Sequence, residues 1–335
     1  MAALPIFGRH RVALSGIRLP PCLDSGLPGA RWEQFGAALA PNLCGTCTSR
    51  RRPTTRTLRC VCVRLSAMFE MNGQPADLDV VGQLALVNYG HFTSFEVGSG
   101  RVRGFALHMA RLENDCRALF GCGVPATSLR HGLKMLEAMP GRTVARVTVY
   151  DPKLMLGAPG KQPASPDVLV STRAASEAGT LPPLRLRTVS YQRESPNIKH
   201  VGLFGPIRER RQAQLAGFDD ALFLDNYSRI SEGPTWNIGF YDGHSVVWPG
   251  SDVLDGVTMR LLDGMLPAVG IKSRTSGITL NEAATMLCAF ATNAAFGFRI
   301  IASIDGMTFM TDHQLFNALS NAYSLVPAEP MVVDD

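Results

Sequence analysis

The chain has 335 residues, 46% of them hydrophobic, which is enough apolar material for two globular domains. No uninterrupted apolar stretch is long enough to span a bilayer. Residues 282–304 come nearest, broken by Asn293 and Arg299, and read as a buried helix followed by a strand. The net charge of +5 belongs to residues 1–67, which hold ten arginines, no lysine and only Asp24 and Glu33, so the body gives no case for a nucleic-acid partner.

Residues 1–67 are expected to be a disordered or non-native extension, with Met68 or Met71 as the natural start. Arg9 and Arg11 follow a short apolar opening, the wrong order for a secretory signal, so a cytoplasmic location is expected. Cys44-x-x-Cys47 and Cys60-x-Cys62 could be written as a four-thiolate zinc site. The second pair is too tight for an ordinary knuckle and few apolar residues surround it, so no metal is assigned. Cys116, Cys122 and Cys288 lie among apolar residues and read as buried thiols.

A first α+β domain is expected over 68–178. Asn72-Gly73 reads as a turn, and Ala85 to Tyr89, Thr93 to Val97 and Arg101 to Arg103 as strands. Leu107, Ala110, Leu112, Cys116 and Leu119 mark the apolar face of a helix, and Ala126 to Leu136 forms a second. Val144 to Tyr150 and Asp167 to Thr172 are strands. A Gly-, Pro-, Ala- and Ser-rich link at 174–183 leads to a larger α+β domain over 184–328. It opens with a strand, Leu184 to Tyr191, followed by a helix from Gly205 to Leu215 and a strand from Ala221 to Leu224. Trp236 to Tyr241 and Ser245 to Trp248 form a hairpin across Asp242-Gly243. Helices are expected from Gly256 to about Ala268 and, behind a Thr279-x-x-Glu282 capping box, from Thr279 to Ala291. A strand from Arg299 to Ile304 closes at Asp305-Gly306.

Two residues carry chemistry. Lys199 follows a segment held extended by Pro196 and is flanked by Ile198, Val201, Leu203 and Phe204, which would desolvate its amine and lower its pKa. Glu232, in Ser231-Glu232-Gly233 before Trp236, reads either as a plain turn or as a carboxylate aimed into a cleft. Thr258, at a helix start, is an N-cap or an anion-binding hydroxyl beside free N–H groups. Arg111 is a helix-surface charge or a fork for a phosphate ester.

Five ordered segments between about Met68 and Ala328 resemble the class IV aminotransferase family, the fold type IV pyridoxal phosphate enzymes. They are NYGHFTSFEVGSGRVRGFALHMARL, SPNIKHVGLFGPIRERRQAQLAGFDDALFLD, RISEGPTWNIGFYDG, VLDGVTMRLL and ITLNEAATMLCAFATNAAFGFRIIASIDG. The resemblance implies the two-domain D-amino acid aminotransferase-like fold and pyridoxal 5'-phosphate as cofactor. It makes Lys199 the Schiff-base lysine, Glu232 the partner of the pyridine nitrogen, and Arg111, Val257, Thr258, Asn293 and Ala294 the phosphate site. Asn293-Ala294 stand where members carry Gly-Thr, so a hydroxyl is missing. Phe204 stands where aminotransferases carry a tyrosine.

Tyr89, His91, Thr93, Arg146 and Trp236 are the substrate candidates, with Arg146 able to pair with a carboxylate or to form a structural salt bridge. The implied reaction passes an amino group from an amino acid or amine donor to a 2-oxo acid. Two alternatives stand beside it. One is elimination of pyruvate, as by aminodeoxychorismate lyase, which the Phe92-Thr93 run favours; the other is a catalytically inactive binding protein of the same fold. The family implies a homodimer whose site borrows residues from the neighbouring subunit, with neither nucleic acid nor membrane as partner.

Overall fold

A computed structural model describes residues 69–332 other than 73, 140 and 176–180. The expected N-terminal extension and its cysteine pairs lie outside the described residues. Two sheets carry the fold. In the first, seven antiparallel strands run in the order Ala328–Pro330, Arg101–Arg103, Gly90–Gly98, Arg142–Tyr150, Asp167–Ala174, Phe69–Met71 and Gln74–Pro75. Side chains alternate between the two faces of such strands. One face, with Phe95, Val97, Val147, Val149 and Val170, is buried beneath helices α2 and α3 together with Leu112 and Leu133. Here α1 is Leu78–Val87, α2 Phe105–Phe120 and α3 Ala126–Glu137. The other face of these strands is left to line a cavity.

The second sheet has nine strands. Its main path is Lys272–Ser276, Ser245–Pro249, Trp236–Tyr241, Cys288–Asn293, Gly297–Ile304, Leu184–Ser190 and Asp220–Leu224. Glu232–Gly233 pairs beside Trp236–Tyr241, and Met307–Thr308 beside Gly297–Ile304. Four helices belong here: α4 Phe204–Leu215, α5 Val257–Met265, α6 Leu280–Ala283 and α7 Leu315–Leu325. The chain then returns to the first sheet through Ala328–Pro330, where Arg101 donates to the Ala328 carbonyl at 3.0 Å.

Two expected elements are corrected. Ala85 to Tyr89 is not a strand, because its first residues end α1. A short apolar run carries no period of its own, and the preceding Leu78 to Gln83 extends it as helix. The helix expected from Thr279 to Ala291 stops after one turn. Its capping box is present, with Glu282 N–H on Thr279 Oγ1 at 3.3 Å and Thr279 N–H on Glu282 Oε2 at 2.8 Å. Beyond it, Cys288–Asn293 becomes a fully inner strand, held on both sides by Trp236–Tyr241 and Gly297–Ile304. Such a strand is apolar on both faces and reads like a buried helix. Among the described residues, no helix is long and apolar enough to cross a membrane.

Candidate active site

Helix α2 begins after Gly104, whose φ of 67° is a left-handed conformation, and a Cβ there would come within 2.8 Å of Leu261. The helical repeat sets His108, Arg111, Leu112 and Asp115 along one side. Leu112 and Asp115 are buried. Arg111 donates to the Asp255 carbonyl just before α5. One turn further on, the Asp115 carboxylate accepts the backbone N–H of Lys199 at 3.0 Å. The Lys199 carbonyl accepts from Phe92 N–H at 2.9 Å, and Val201 N–H donates to the Gly90 carbonyl at 2.9 Å. The Lys199 backbone is thus held on both sides, by a helix and by a strand, and its side chain is aimed by structure rather than by chance.

Lys199 and Glu232 line one cavity of about 460 Å³. Burial, with the Arg111 and Arg193 charges adding to it, brings the Lys199 amine down to about 7. Its Nζ stands 5.0 Å from the centre of the Phe92 ring. Glu232 is 4% exposed. Its Oε1 lies 3.5 Å from Arg193 Nη1, and its Oε2 accepts from Leu254 N–H at 3.4 Å, two long contacts for a buried carboxylate. Burial outweighs the attraction of Arg193 and Lys199 and pushes the Glu232 carboxyl up to about 7.

The start of α5 opens onto the same cavity. Gly256 leaves the first N–H groups of the helix without a side-chain cap, and Val257 and Thr258 line the cavity beside Arg111. Asn293 and Ala294 line it as well. Asn293 Oδ1 accepts the N–H groups of Ala295 at 2.9 Å and Phe296 at 3.0 Å, so those two donors are already used. Next to them Thr292 is 1% exposed, and its hydroxyl has no partner among the described residues.

Of the substrate candidates, Arg146 and Trp236 line the cavity. The Arg146 guanidinium stacks 3.6 Å from the Phe92 ring centre, its Nε donates to Thr148 Oγ1 at 3.2 Å, and burial brings its pKa down to about 10. The Trp236 indole N–H donates to Asp220 at 2.8 Å. A Cβ on Gly233 would come within 2.1 Å of that ring, so only glycine lets the indole lie flat there.

Tyr89, His91 and Thr93 do not line the cavity. Tyr89 is exposed, with its hydroxyl on the Leu119 carbonyl at 3.2 Å; His91 is fully buried; Thr93 bonds His108 at 2.7 Å. His91 and Thr93 occupy the core face of Gly90–Gly98, and the cavity face belongs to Phe92 and Ser94. Phe204 is 78% exposed at the start of α4, while Leu203 lines the cavity. Arg193 and Asp115 were missed. Only the Lys199 segment, folded back beside α2, brings them to the site.

The sequence model of the family described as Amino-transferase class IV matches residues 90–304. The chain belongs to the class IV aminotransferases. A protein named as a probable branched-chain-amino-acid aminotransferase from Rickettsia bellii is 28% identical over 124 residues, 36% of this chain. Its counterpart in Rickettsia felis is 29% identical over 128 residues, 37% of this chain. The chain spans 43% and 44% of the lengths of these curated relatives. Among solved structures, the branched-chain aminotransferase of Thermoproteus uzoniensis with norvaline superposes with a TM-score of 0.67 at 18% identity, covering 78% of this chain and 95% of that one. A hypothetical aminotransferase from Mycobacterium tuberculosis in its PLP-bound form gives 0.65 at 13% identity, covering 78% and 98%. At such identities the likeness is one of architecture, the two-domain α+β fold type IV.

Proposed function

We propose that this chain is a pyridoxal 5'-phosphate-dependent aminotransferase, passing an amino group between an amino acid or amine and a 2-oxo acid. The observation that carries the reading is the pair lining one cavity: an amine lowered to about 7 and a buried carboxyl raised to about 7, beside an uncapped helix start. The residues fit the cofactor. Glu232 lacks a close donor, as a carboxylate facing a protonated pyridine nitrogen should before that partner arrives. The partnerless Thr292 hydroxyl suits a phosphate oxygen and offsets the one absent at Ala294.

Lys199 would hold the cofactor through Nζ. Arg111, Thr258, the amides at Val257 and Ala294, and Thr292 would hold its phosphate. Asn293 acts by shaping this loop rather than by lending its neighbours' N–H groups. When bound, the cofactor supplies an aldehyde for amines and an electron-withdrawing ring. The chain's own residues do the rest. Burial and the neighbouring Arg111 and Arg193 charges lower the Lys199 amine toward neutrality, which suits Nζ to take a proton from the substrate α-carbon and later return it. Glu232, steadied by Arg193, keeps a proton on the ring nitrogen. Arg146 receives a substrate carboxylate, and Trp236 walls the cavity. A homodimer completes the assembly in this reading.

A second reading, elimination releasing pyruvate, is supported by the Phe92-Thr93-Ser94 run, whose Phe92 and Ser94 line the cavity. The two part on one experiment. Cofactor-loaded protein is mixed with amino donors, and 2-oxo acid is measured with and without an added 2-oxo acid acceptor. Amino transfer predicts multiple turnovers only when acceptor is present. Sustained pyruvate release without it would refute amino transfer.

A further inference from the structure

Helix α2 reaches the candidate site at two points one turn apart. Arg111 donates to the Asp255 carbonyl, just before α5, and Asp115 accepts the backbone N–H of Lys199 at 3.0 Å. Residues one turn apart stand above one another on a helix, about 5.4 Å apart along its axis. Leu112 and Cys116, both fully buried in the core beside the first sheet, pin this stretch of α2 in place. The helix therefore sets how far the Lys199 backbone stands from the start of α5.

Asp115 itself lies behind the cavity wall, 5% exposed and not lining the cavity. A buried carboxylate is costly unless it is hydrogen-bonded and faces cations. Burial raises the Asp115 carboxyl above its ordinary value, while the Lys199 N–H and the Arg111, Lys199 and Arg193 charges hold the rise back. All three of those cations line the cavity. An apolar side chain of similar size would pack the core without the cost. The carboxylate thus serves the site, through its neighbours.

We propose that Asp115 is a positioning residue for covalent capture of the cofactor. It holds the Lys199 backbone at a fixed spacing from the groups assigned to the phosphate, so that Nζ meets the aldehyde of a molecule whose phosphate is already bound. The two reacting arms of pyridoxal phosphate are fixed to one flat ring, and a lysine segment free to drift would meet the aldehyde less often. This assignment rests on the cofactor reading and adds to it the residue that makes amine and phosphate site act on one molecule.

The test compares two probes. Full-length protein is titrated by fluorescence with pyridoxal 5'-phosphate and with pyridoxine 5'-phosphate, which has an alcohol in place of the aldehyde and forms no bond to an amine. Asp115→Ala should weaken pyridoxal phosphate about tenfold, the effect of losing one hydrogen bond to a charged group, and leave pyridoxine phosphate within about twofold. Asp115→Asn keeps a carbonyl oxygen for the Lys199 N–H and should recover most of the loss. Should Asp115→Ala not fold, Asp115→Leu fills the same space without an acceptor and is expected to give the same split. Equal weakening of both compounds would make Asp115 a prop of the fold alone and overturn the assignment. A wild type that binds the two compounds equally sinks the cofactor reading at Lys199. A wild-type preference for pyridoxal phosphate that survives Asp115→Ala and Asp115→Leu sinks this inference alone.

Discussion

Replacing Glu232 with glutamine should change how stability depends on pH, and the structure gives the size. The carboxyl has an ordinary value of 4.5 and is pushed up to about 7 in the folded protein, chiefly by burial. A carboxyl raised on folding binds its proton more tightly in the native state. Its stabilising contribution is therefore complete below pH 4.5 and is lost as pH rises toward 7. A shift of about 2.5 units corresponds to roughly 3 kcal/mol. Lys199 is lowered to about 7 from 10.5, so its own linkage acts mainly above pH 7 and leaves the lower window to the acid. Urea denaturation of cofactor-free protein at pH 5 and pH 7 should show the wild type losing about 2 kcal/mol more than Glu232→Gln over that interval, the rest of the change falling outside it. Parallel pH dependence in the two proteins would refute the claim that Glu232 is an underpaired buried carboxyl.

Three further outcomes follow from the same geometry. Thr292→Val removes a buried hydroxyl without a partner, so it should stabilise cofactor-free protein by about 1 kcal/mol while weakening pyridoxal phosphate about tenfold. Binding of pyridoxal, which has no phosphate, should stay unchanged, and a fluorescence titration of both compounds checks this. Acylation of Lys199 by a small amine reagent, followed by peptide mass spectrometry, should rise through a midpoint near pH 7 rather than 10.5. Asp115→Ala frees the Lys199 N–H, and proteolysis of cofactor-free protein should then cut the 195–203 segment faster than in the wild type.

Much of the site was legible because its chemistry sits at local punctuation. Pro196 before Lys199, the turn around Glu232 and the glycine before Val257-Thr258 each mark a backbone break that the sequence displays. The pleat of Gly90–Gly98 was not legible. Phe92 and Phe95 fall on opposite faces, so the apolar pattern could not say whether His91 and Thr93 or Phe92 and Ser94 meet the cavity. Arg193 and Asp115 depend on a long-range contact: Asp115 lies 84 residues from the N–H it accepts. Cys288–Asn293 failed for another reason, since an inner strand buried on both faces has no alternation to betray it.

The central claim is that Lys199 carries pyridoxal phosphate covalently. Full-length protein should show a visible absorption band after exposure to the cofactor. Borohydride reduction should then fix the cofactor's mass on the peptide containing Lys199, and Lys199→Ala should show neither band nor adduct. No band in the wild type, or an adduct on another lysine with Lys199 unmodified, would contradict the account.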